Sequence, residues 1–126
     1  MKLKFIRPQS QSGTAKCTIH KNGKLGFSQA AVDRLNIKEN TYVKIAVNEE
    51  DTSDVNLYML VVENESNDTF KISKAGNYFY VNTKLLFDEL QVDYKKKKII
   101  YDIVEIEHEG EKIYKLVRRM LDRNKK

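Results

Sequence analysis

The chain has no tryptophan, one proline, one cysteine and two histidines in 126 residues. Each shortage removes a class of answer. Cys17 has no partner within the chain, which excludes an internal disulfide framework and fits a reducing cytosol. Cys17, His20 and His108 are the only soft ligands, too few for a structural zinc site within one chain. The longest apolar run, Leu57 to Val62, is six residues, far short of the about 20 that a membrane-spanning helix needs. The basic start, MKLKFIRPQS, leads into no apolar stretch of signal-peptide length, so a cytoplasmic protein without a membrane partner is expected. No Gly-rich phosphate loop, nucleophile elbow or HExxH motif occurs, so neither catalysis nor a cofactor is expected.

What is present is charge, and it is unevenly placed. Apolar residues make up 40% and charged residues 33%, enough for one compact domain or two very small halves fused into one. Residues 1–24 carry six Lys or Arg (Lys2, Lys4, Arg7, Lys16, Lys21, Lys24) and no acid. Residues 25–68 carry three basic and nine acidic side chains, and residues 112–126 carry seven basic residues against Asp122 alone. Basic ends around an acidic middle bias encounter with polyanions, because clustered Lys and Arg replace counterions condensed on phosphate. Basic termini that only aid solubility are the plainer alternative.

The two halves resemble each other. Ile19, Lys21 and Gly23 form an Ile-x-Lys-x-Gly pattern that returns as Ile72, Lys74 and Gly76. Asp33 and Leu35 match Asp88 and Leu90, and Leu57-Tyr58-Met59-Leu60-Val61 sits against Ile113-Tyr114-Lys115-Leu116-Val117. A duplication is therefore expected. In each half two short β-forming stretches flank a turn, Lys21-Asn22-Gly23 in one and Lys74-Ala75-Gly76-Asn77 in the other. Asn-Gly tolerates positive φ at both turn positions. A helix cap follows, Ser28 or Asn82, then a helix of about two turns with Ala31, Val32 and Leu35, or Leu86 and Leu90, on one face. It stops near Asn36 or Gln91. Strands return at 42–47, with Val43, Ile45 and Val47 facing one way, and at Leu57 to Val62, apolar on both faces as a central strand is. The second half repeats this at 99–107, where a phase change near Ile103-Val104 suggests a bulge, and at 112–118.

The expected fold is α+β, mostly β, with two related β-β-α-β-β units forming one pseudo-symmetric, barrel-like domain. Residues 1–15 form a flexible basic arm, 16–62 the first unit, 69–118 the second, and 119–126 a basic tail that ends loosely or as a frayed helical turn.

One known family carries this order. Gly23-Lys24, Phe27-Ser28, Leu35-Asn36-Ile37 and Lys38-Glu39-Asn40 resemble the swapped-hairpin, AbrB-like domain of bacterial transition-state regulators and DNA-binding antitoxins. The likeness covers residues 18–62 and, more loosely, 71–118, in tandem-duplicated form. It implies a DNA-binding regulator or antitoxin-like protein, with DNA favoured over RNA, whose hairpins and loops approach the nucleic acid. Ser28 and Asn82 replace the family's proline before the helix, and Gly76-Asn77 lacks the cation after glycine. Pur-type and Whirly-type single-strand binders are rivals, but they place four strands before the helix. A protein-interaction module, pairing basic and acidic faces in a homo-oligomer, is a third reading.

Lys16, Lys21, Lys24, Lys74, Arg118 and Arg119 are the candidate nucleic-acid contacts. Lys21, Lys24 and Lys74 flank the turns, where they either meet phosphate or solvate a loop. Arg118, Arg119 and Arg123 either clamp phosphate with planar forks or pair with the acidic loop at 49–54 of another copy. Alternation puts Tyr78 and Tyr80 on one face and Phe79 on the other, so at least one face is buried; core packing is favoured over base stacking. The four lysines at 95–98 read as a solvated loop. His20 reads as a surface or hydrogen-bonded histidine rather than a general base. Glu105, Glu107, Glu109 and Glu111 alternate along a solvent face, too widely spaced for a tight metal site.

Overall fold

A computed structural model describes residues 1–5 and 15–122. Ten elements follow in order: β1 (Lys16–Ile19), β2 (Lys24–Phe27), α1 (Gln29–Leu35), β3 (Tyr42–Ala46), β4 (Leu57–Val62), β5 (Thr69–Ala75), β6 (Tyr78–Asn82), α2 (Lys84–Glu89), β7 (Lys97–His108) and β8 (Glu111–Asp122). The strands close into one antiparallel barrel, β1-β2-β6-β5-β3-β4-β8-β7, with β7 returning to β1. The fold is mostly β and barrel-shaped, as the alternation predicts. α1 follows two strands, β1 and β2, whereas four strands, β3 to β6, stand between it and α2, so strand order alone does not separate this fold from the Pur-type and Whirly-type arrangement.

Period-two patterning fills the interior. Cys17, Ile19, Leu25, Phe27, Val43, Leu57, Met59, Ile72, Val81, Ile99, Tyr101 and Leu116 all turn inward and are buried. Each fully buried aliphatic side chain contributes roughly 1.5–3 kcal/mol, so the lining dominates stability. The helices are too short to stand alone and depend on packing, through Ala31 and Leu35 in α1 and Phe87 in α2. Ser28 caps α1: its Oγ accepts from Ala31 N–H at 3.2 Å and from Lys16 N–H at 3.0 Å, tying the helix to β1. α1 ends on left-handed Asn36 (φ 54°), while α2 ends on right-handed Leu90 with left-handed Gln91 (φ 58°) just beyond it.

The structure corrects several boundaries. Asn82 is the last residue of β6, and Thr83 takes the cap position of α2; its hydroxyl donates to Gly23 C=O at 2.8 Å instead of capping the helix. Phe87, not Leu90, is the buried anchor of α2. In the first turn only Gly23 has positive φ, at 85°, while the Asn22 side chain accepts Lys24 N–H at 3.0 Å. The second turn is Gly76-Asn77 alone, because β5 continues through Lys74 and Ala75.

The arm and tail are shorter than expected. Ala15 is buried, and its carbonyl accepts Ile103 N–H at 2.9 Å, so it belongs to the barrel. Residues 6–14 of the expected arm lie outside the described residues, as do 123–126 of the expected tail. Residues 119–122 are strand, not tail, because β7 lies beside them from Ile100↔Arg119 to Lys97↔Asp122, where an ion pair closes the ladder. Lys97 and Lys98 accordingly belong to β7, not to a loop. No bulge interrupts β7, whose register with β8 is continuous. The hydrophobic phase changes near Ile103 because the strand leaves the barrel there.

Gly23 holds the first turn against α2. A Cβ at this position would lie 2.7 Å from Lys84 Cβ and 2.8 Å from Lys84 Cα. Gly110 has a similar φ, 81°, with open space around it. Gly23→Ala should therefore cost about 1–3 kcal/mol more than Gly110→Ala, the excess being overpacking against the helix. Urea unfolding of both variants measures it; equal costs would mean that the turn does not bear on α2.

Candidate nucleic-acid interface

β1, β2, β6 and β5 are consecutive neighbours around the barrel. With their two connecting turns they contain Lys16, Lys21, Lys24, Lys71 and Lys74, and no aspartate or glutamate. Half of the barrel wall is thus free of carboxylate. Because β2 and β6 run antiparallel, the two hairpin turns lie at opposite ends of this wall, so its lysines are spread along it rather than gathered at one tip.

Aromatic side chains share the outer face. Leu25, Phe27 and Val81 turn inward, so Lys24, Gly26, Tyr78 and Tyr80 turn outward. Lys24 Nζ lies 4.8 Å from the centre of the Tyr80 ring, a cation–π contact. Tyr78 reaches from β6 across Gly26 on β2 to the turn that follows β1, where its hydroxyl meets His20 Nε2 at 2.6 Å. Only a glycine at 26 leaves that path open, since a Cβ there would lie 1.7 Å from the Tyr78 hydroxyl oxygen. Burial pushes the Tyr78 phenol above its ordinary pKa, so it stays protonated at neutral pH. Phe79 faces the other way and packs on the core, with Lys74 Nζ 5.5 Å from its ring. Phe79 therefore packs, the use favoured for these aromatics, while Tyr78 and Tyr80 turn their rings outward.

The structure places Lys16, Lys24 and Lys71 on the outer face of this wall and Lys21 in its first turn, while Lys74, in phase with Phe70 and Ile72, shares the opposite face with Phe79; two candidates lie outside the wall. Arg119 donates to both carboxylate oxygens of Asp102, at 2.7 and 3.0 Å, so its fork is occupied. Arg118 lies opposite Tyr101 and lines a cleft of about 450 Å³ with Glu49, Asp51 and Asp54 of its own chain, surroundings that oppose phosphate. Lys71 escaped the sequence reading, although inward Phe70 and Ile72 imply that the residue between them faces out. Asp54 in the cleft is held below the usual carboxylate range by hydrogen bonds from the Tyr58 hydroxyl, Asn56 N–H and the Asn48 amide. The acidic loop is thus built around its own turns.

Burial pushes the Cys17 thiol well above its ordinary pKa, so it stays a neutral core residue. Among the described residues no three His, Cys, Asp or Glu side chains gather to hold a metal ion. No helix among them is long and apolar enough to cross a membrane.

Gly26→Ala should swing the Tyr78 ring off β2 and cost about 0.5–1.5 kcal/mol, the worth of its hydrogen bond to His20. Tyr78→Phe should cost a similar amount, and the double variant little more than either alone, because both remove the same interaction. Denaturation of the three variants reads the cycle; full additivity would show that Gly26 does not seat Tyr78.

Comparison with protein-family models, curated proteins and solved structures gives no match.

Proposed function

We propose that this chain is a non-catalytic, cytoplasmic nucleic-acid-binding protein, a DNA-binding transcriptional regulator or antitoxin-like protein of the AbrB-like kind in tandem form. The observation that carries the reading is the carboxylate-free wall of β1, β2, β6 and β5, with five lysines and two outward tyrosines. Such a wall neutralises phosphate without carboxylates of its own to compete for the lysines. Hairpin lysines supply the positioning contacts. Arg118 and Arg119 drop out of the proposed site, and Lys71 enters it.

The tandem reading draws support from the strand pairings. Exchanging β1–β4 for β5–β8 leaves the set of neighbours unchanged: β1–β7 becomes β5–β3, while β2–β6 and β4–β8 map onto themselves. Registers follow the same exchange. Ile19 opposes Leu25 as Ile72 opposes Val81, and Cys17 opposes Tyr101 as Phe70 opposes Val43. The helix ends correspond too: Ile37 N–H bonds Val32 C=O at 3.0 Å, and Val92 N–H bonds Phe87 C=O at 3.0 Å. In this correspondence Leu57 goes with Tyr114 rather than Ile113, one residue from the sequence alignment.

Binding to a DNA duplex should fall steeply with salt. With about four to six phosphate contacts, raising salt from about 50 to about 200 mM should cost roughly two to three decades of affinity. Lys21→Ala with Lys24→Ala should weaken binding far more than Lys95→Ala with Lys96→Ala, although both pairs remove the same charge. The first pair should also flatten the salt slope by about one unit for each phosphate no longer neutralised. Fluorescence anisotropy at several salt concentrations checks both. Equal losses would mean a diffuse field rather than a site, and no binding at low salt would remove the reading.

A further inference from the structure

The β7–β8 hairpin runs on past the barrel, and among the described residues one edge of it has no strand beside it. β1 accompanies β7 only as far as Lys16↔Asp102, with the Ala15 carbonyl on Ile103 N–H. Beyond that point no described residue pairs with this edge of β7. Since Ile103 N–H points to the β1 side, alternation turns the N–H and C=O groups of Glu105 and Glu107 to the same side. An open edge of this kind is a template for another strand.

The side chains along this edge have a matching counterpart elsewhere in the chain. Glu105 and Glu107 lie on one face of the hairpin, where Lys112 alone answers them, 3.6 Å from Glu105. On the opposite face Val104 is 46% exposed, beside half-buried Ile106 and Ile113. Residues 1–5, MKLKF, alternate apolar and cationic side chains, the pattern of a half-buried strand, yet belong to no element. Leu3 is 70% exposed and Phe5 89%.

We propose that residues 1–5 of a second copy of this chain add to the open edge of β7 as an antiparallel strand. Lys4 then lies beside Glu105 and Lys2 beside Glu107, while Phe5 meets Val104 and Leu3 meets Ile106 on the other face. One register satisfies both faces at once. Reciprocal exchange of the two arms gives a closed, two-fold dimer held by main-chain hydrogen bonds, with side-chain alternation setting the register. The second copy is the occupant because the arm and the edge match in charge and in apolar alternation, yet among the described residues of the single chain neither is paired with the other. The interface uses none of Lys16, Lys21, Lys24, Lys71 or Lys74, so it stands apart from the proposed nucleic-acid wall.

Sedimentation velocity without nucleic acid, from micromolar to submillimolar protein, tests the exchange. The natural chain should dimerise with rising concentration. Lys2→Glu with Lys4→Glu should weaken the dimer at least tenfold, and so should Glu105→Lys with Glu107→Lys. All four changes in one chain should restore it. Every altered side chain is exposed, and circular dichroism confirms that each variant is folded. A chain monomeric at every concentration would overturn the proposal, whether its arm is free or lies on its own edge. So would a dimer that survives either charge reversal, or a fourfold variant that stays monomeric. None of these results bears on DNA affinity, which is measured separately.

Discussion

Every strand of the barrel has one partner from its own half of the chain and one from the other half. β1 needs β7, β5 needs β3, and the halves meet directly through β2–β6 and β4–β8. Cut in two, the wall would expose unpaired backbone at each of these seams, a costly state because sheet edges recruit other strands. Closure is the constraint from which the rest follows. It explains how a chain with a single cysteine and short helices can hold one fold without a disulfide. The buried lining shares a single interior, so neither half completes a core alone.

Closure also leaves the outside free to specialise. With the inward positions given to Ile19, Leu25, Ile72 and Val81, the outward ones of the same strands carry lysine, glycine and tyrosine. Carboxylates are left to the other strands, the loops and the helices, where several are already engaged: Asp102 with Arg119, Asp122 with Lys97, and Asp88 with Lys84 and Tyr94. The net charge of +5 therefore understates how basic one side is. The small residue at 26 is part of the same arrangement, since it lets Tyr78 cross β2 and join His20.

Much of the fold was legible because it rests on local signals. Period-two alternation marked the strands, Ser28 marked the start of α1, and Asn36 and Gln91 marked both helix ends. What was not legible depends on partners distant in sequence. Thr83 serves Gly23, sixty residues away, so a search for a local cap settled on Asn82 instead. Residues 119–122 read as a tail because nothing near them in sequence announces that Lys97–Ile100 will lie alongside. The site was half legible for the same reason. Lysines beside a Gly turn are visible in one dimension, whereas the pairing of Arg119 with Asp102 and the setting of Arg118 among the acids of its own loop exist only once the barrel closes.

The central claim is that the carboxylate-free wall is the surface that meets nucleic acid. Titrating a short DNA duplex into isotopically labelled protein, with backbone amide shifts followed by NMR, tests it most directly. Shifts concentrated in β1, β2, β5 and β6 and their two turns, with β3, β4 and the acidic loop at 48–56 unmoved, are the predicted result. Shifts centred on β8 around Arg118 and Arg119, or spread evenly over the barrel, would contradict it.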